Sequence, residues 1–161
     1  MSIKNWNSPG ANFVPAYQVS GIPFVTSSAA TGVTATPQVI QFPFATRFFV
    51  IENLATDATH KLRIGFTENG VLGRTSSDGK DKWGEKHYFV LAGASRTDRL
   101  EIRCKELWFM RDGGDSVGFS VMAGLSQVPA SNFPVVTGSI TLTGSRDQIL
   151  GSGIPKFEGV G

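Results

Sequence analysis

Leu62-Arg63-Ile64-Gly65-Phe66 sets an apolar side chain at alternate positions, and Leu100-Glu101-Ile102-Arg103-Cys104 repeats the pattern with charges between. Period two marks a strand with one face on a core and the other in water, the usual state of an antiparallel sheet. Val117-Gly118-Phe119-Ser120-Val121-Met122-Ala123 alternates apolar and small residues, which suits a central strand in close packing. Working outward from these, β-branched and aromatic runs bounded by Gly, Asp, Asn or Pro predict strands near 17–27 and at 38–42, 47–53, 61–67, 87–91, 98–104, 106–111 and 116–124. Gly21 and Pro23 are expected to interrupt the first. No window of eleven or more residues sustains helical apolar spacing. About eight short strands predict an all-β fold, a single jelly roll or other antiparallel β-sandwich with extended N- and C-terminal arms.

The charges divide the chain further. Only 17% of the 161 residues are charged, against about 25% in an ordinary soluble domain. Residues 1–46 carry one charge, Lys4, whereas 22 of the 28 charged side chains lie in residues 47–112. Five prolines precede position 44, three follow 128, and none lies between. The reading is an N-terminal arm over 1–27 that overlaps the first strand, a sandwich over 28–137, and a C-terminal tail over 138–161. Trp6, Phe13, Tyr17 and Phe24 give the N-terminal arm more aromatic surface than a flexible linker carries. Two placements stay open for it: laid against another protein as an assembly contact, or packed back on its own domain as an edge strand.

Several functions are disfavoured. No apolar run approaches the ~18 residues of a membrane-spanning helix, and residues 1–7 hold no apolar signal core. A single cysteine fits a reducing compartment, and a net charge of +2 is too small to predict nucleic-acid binding. Arg96, Arg99, Arg103, Lys105 and Arg111 are interleaved with Asp98, Glu101, Glu106 and Asp112, a solvated mixed-sign face and not a phosphate track. Cys104 ends a period-two run, the address of a core thiol. His60 and His87 stand outside any zinc-ligand spacing. No phosphate loop, dinucleotide motif or nucleophile elbow is present, so neither catalytic residues nor a cofactor are expected. In the polar segment 78–86 the carboxylates do not match calcium-loop spacing, and Trp83 is its candidate contact residue.

A resemblance adds to this. Phe13-Val14-Pro15-Ala16-Tyr17-Gln18-Val19-Ser20-Gly21-Ile22-Pro23-Phe24-Val25-Thr26-Ser27-Ser28, Gly65-Phe66-Thr67-Glu68-Asn69-Gly70-Val71, Tyr88-Phe89-Val90-Leu91 and Leu107-Trp108-Phe109-Met110-Arg111-Asp112 are its main strings, with Gly118-Phe119-Ser120 and Ala123-Gly124-Leu125 after them. Together, over about residues 12–138, they resemble the single jelly-roll capsid proteins of large icosahedral double-stranded DNA viruses, in particular the vertex (penton) proteins. The tail from Gly138 has no counterpart. The resemblance implies a non-enzymatic virion protein assembled in the host cytoplasm, a homopentamer on the five-fold axis. Its N-terminal arm would reach major and minor capsid subunits, with no direct nucleic-acid contact and no membrane span. The alternatives are a capsid cement or decoration protein, and a lectin-like carbohydrate-binding sandwich that stacks sugars on Trp83.

Overall fold

The structure, a computed structural model, describes residues 21–29, 32–72 and 88–132. Seven strands are present among them: β1 (Ile22–Ser27), β2 (Gln38–Gln41), β3 (Phe44–Asn53), β4 (Leu62–Gly65), β5 (Tyr88–Leu91), β6 (Glu106–Arg111) and β7 (Phe119–Pro129). They form two antiparallel sheets, ordered β1-β7-β3 and β2-β6-β4-β5.

The pairing is nested. β4 pairs with β5, β3 meets residues 96 and 100, β2 pairs with β6, and β1 pairs with β7. One long antiparallel ribbon is thus rolled up so that successive partner pairs fall alternately into the two sheets. The further pairings β3–β7 and β4–β6 close each sheet. This is a jelly roll. Alternation buries Phe49 and Ile51 of β3 against Leu107 and Phe109 of β6, and the rings of Phe109 and Phe119 stack across the two sheets at 4.3 Å.

Four sequence expectations change. The strand expected at 98–104 is reduced to bridges: Leu100 exchanges both backbone bonds with Phe49, and Ile102 is exposed. The cause is Thr46, whose hydroxyl donates to the Ile102 carbonyl at 2.7 Å and accepts from the Cys104 amide at 2.9 Å. The Thr46 amide keeps one ladder bond, to the Cys104 carbonyl at 2.9 Å, and its hydroxyl supplies the others where β3 is bulged on either side. Pro23 does not interrupt β1, because it stands in an edge strand, where a missing N–H is tolerated. The run expected at 61–67 ends at Gly65, and a five-residue helix, α1 (Glu68–Leu72), follows. Thr67 caps it by accepting from the Gly70 amide at 3.1 Å, and Val71 is fully buried.

β7 also runs five residues past the expected end at 124. Ser126 makes that extension possible in the interior: buried, it donates to the Ala45 carbonyl at 2.8 Å and accepts from the Val128 amide. Asn53, also buried, ties the sheets together. Its amide donates to the carbonyls of His60 (2.9 Å) and Leu91 (3.1 Å), and its oxygen accepts from the Ala55 amide (3.0 Å).

Candidate assembly surface

Cys104 is buried beside Thr46, with its sulfur 3.3 Å from the hydroxyl. Burial pushes the thiol up to about 11, so it is protonated and unreactive at neutral pH. Thiol reagents at pH 8 are expected to leave the folded protein unlabelled and to modify one cysteine in denaturant. Because the folded-state value lies above the ordinary value near 9, the burial contributes stability below pH 9 that is lost as the pH rises toward 11. Urea midpoints of Cys104→Ala should therefore fall less steeply over that interval. Among the described residues no group of three or more His, Cys, Asp or Glu is placed to hold a metal ion, and no helix is long and apolar enough to cross a membrane.

Arg63 joins three elements through one guanidinium. From the outer face of β4, it donates from Nε to Asp112 at 2.6 Å and from Nη1 to the Val71 carbonyl at 3.2 Å, and its guanidinium lies 4.6 Å from the Tyr88 ring. It fastens α1, the start of β5 and the end of β6 to one strand, which is a structural role. Arg63→Met is expected to cost about 1–3 kcal/mol, read as a lower urea midpoint. A shallow cleft of about 230 Å³ lined by Gln41, Phe42, Lys105, Glu106 and Ala130 holds no comparable convergence of groups.

The two flanks of the sandwich differ sharply in charge. Phe24 of β1 meets Phe42, just beyond β2, edge-on at 5.1 Å, which brings the β1 and β2 edges together on one side. Neither strand carries a charge, and neither does β7. The other flank is the 96–105 segment, with Arg96, Asp98, Arg99, Glu101, Arg103 and Lys105. Arg99 there pairs with Glu101 at 3.0 Å and stacks over the Phe48 ring at 4.1 Å. Phe48 in turn lies flat on Gly124, where an added Cβ would collide with its ring.

On the outer face of the β1-β7-β3 sheet, the register aligns Val25, Met122 and Val50 in one row and Pro23, Gly124 and Phe48 in the next. Val25 is 70% exposed and Met122 51%. The six residues are apolar and uncharged, with charge only at the β3 end, where Arg99 lies over Phe48 and exposed Glu52 follows Val50. Toward β1 the strip ends at a free strand edge, and its composition is that found at the centre of protein contacts. Of the proposed contact residues, Phe24 is half-buried with its ring turned to the core. Trp6, Phe13, Tyr17 and Trp83 lie outside the described residues. The strip itself escaped the sequence reading, since Ile22, Phe24 and Val25 are all apolar and only the pairing with β7 shows which of them face outward. No protein-family model matches this chain, and no curated protein matches it in sequence.

Proposed function

We propose that this chain is a structural capsid subunit of a large icosahedral DNA virus, standing as a homopentamer at the five-fold vertices and contacting neighbouring major capsid subunits. The observation that carries the reading is the uncharged flank: a jelly roll whose β1 edge and outer β1-β7-β3 face expose Val25 and Met122. The resemblance of residues 12–138 to vertex proteins supplies the particular assembly. A ring joins two different patches, and the contrast between the uncharged flank and the charged 96–105 flank provides them.

The N-terminal arm contributes from residues 1–20, because Ile22–Ser27 belong to the sandwich. A chain beginning at residue 21 keeps β1 and is expected to fold yet fail to enter particles. Incorporation at the normal level would overturn the role of the arm. Native mass measurement of the full chain should give species built from five copies, and a series lacking any five-copy species would overturn the ring. Absence of the chain from purified virions would overturn the capsid assignment.

A further inference from the structure

We propose that the free edge of β1 pairs with the same edge of a second copy, antiparallel and centred on Val25. The hydrogen-bond phase of β1 fixes this register. Ser28 donates to the Phe119 carbonyl at 2.9 Å, and bonds to an antiparallel partner recur at every second residue, so Ile22, Phe24 and Thr26 turn their backbone groups toward β7. The far side of the sheet agrees: Phe49 gives both its groups to Leu100, so Ala123 opposite it turns its own to Phe24. Pro23, Val25 and Ser27 therefore face the other edge, where no described residue pairs with them. That edge offers three carbonyls but only two N–H groups, because Pro23 has none.

Pairing centred on Val25 uses both donors. Val25 faces Val25 of the second copy, and the two exchange both bonds. Ser27 faces Pro23 of the second copy and donates to its carbonyl, so the missing N–H meets only the Ser27 carbonyl. The row Val50, Met122, Val25 then continues unbroken into Val25, Met122 and Val50 of the second copy. Lys4 is the only charge in residues 1–46, so like edges meet without like-charge repulsion. Natural edge strands usually carry charges or bulges that forbid such pairing. β1 has neither, and its one blunting residue, Pro23, falls opposite Ser27, where its missing N–H leaves only the Ser27 carbonyl unbonded. The pairing is two-fold and a ring is five-fold, and both use the β1 flank, so it joins chains that have not yet entered a ring.

Cysteine crosslinking of the full chain tests the register. Partners in a bonded antiparallel pair have Cα atoms about 5.5 Å apart, within disulfide reach, and the native Cys104 is buried. Val25→Cys is expected to give a two-chain species linked 25 to 25 under mild oxidation, whereas Ser27→Cys stays single. Crosslinking of both variants would indicate parallel pairing and overturn the proposal. Crosslinking of neither, with both variants folded by circular dichroism, would leave this edge to another occupant and overturn it too. Val25→Lys sets two ammonium groups face to face and should shift the uncrosslinked protein toward species without the pair in sedimentation. A ring joins two different patches, so it cannot link residue 25 to residue 25, and the 25-to-25 disulfide separates this pairing from the ring contacts: either can fail alone.

Discussion

Replacing Asn53 by Asp is expected to unfold much of the protein at neutral pH and to spare it in acid. The side chains have the same shape, but the amide that donates to the His60 and Leu91 carbonyls becomes a carboxylate facing two acceptors. Only the Ala55 amide still bonds it. Leaving a buried charge without its partner costs about 3–5 kcal/mol, a large share of the 5–15 kcal/mol that holds a typical domain together. Protonation restores one donor, so the folded state raises the carboxyl above its ordinary value. The penalty is absent below the unfolded value of about 4 and grows as the pH rises through the folded one. Thermal melts of N53D between pH 3 and 8 should show a melting point falling toward neutrality relative to wild type. A parallel course for the two proteins would mean that Asn53 does not bridge the sheets.

The second large effect is expected at Gly93, in the turn after β5. A Cβ there would overlap the carbonyl of Asp57, whose carbon stands 2.7 Å from the position, and would press on the Ala55 carbonyl at 3.2 Å. Both obstacles are backbone, and that backbone is pinned: Ala94 donates to Ala55 at 2.6 Å and Asn53 to Ser95 at 2.9 Å. Relief requires the two loops to part, breaking these bonds together. Gly93→Ala should cost about 3 kcal/mol or more, which lowers the urea midpoint by roughly 1–3 M. Gly124→Ala is the instructive contrast. Its Cβ would strike the Phe48 ring, a side chain on the outer face that can swing away with Arg99, so the loss should be smaller.

These positions show what the sequence could carry. Period two at 62–66 and 117–123 was enough for an all-β sandwich, because alternation reflects one buried face whatever the partner strand is. The same pattern at 100–104 misled, since Thr46 lies 58 residues away from Cys104 and its hydroxyl takes over part of the ladder there. Pro23 reads as a breaker until the strand is known to be at an edge with its N–H position facing outward. The Thr67 cap was present in sequence, but five residues are too few for a helical period to show. Asn53 and Gly93 act through loops that meet only when the ribbon is rolled, and no local pattern announces that meeting. The outward side of β1 was hidden for the reason that makes it adhesive, its apolar residues at neighbouring positions.

The nested pairing also imposes an order in time. β4 and β5 are close in sequence, but Ile22 must wait for Leu125, 103 positions later. On a ribosome adding about 5–20 residues per second, β1 emerges roughly 5–20 s before its partner exists. Loop-closure entropy likewise makes the outermost pair the slowest to form in refolding. During that interval both edges of β1 are bare, and a neighbouring nascent chain offers a β1 of identical sequence at high local concentration. The strand on which the fold closes last is therefore the first to be available for another chain to claim.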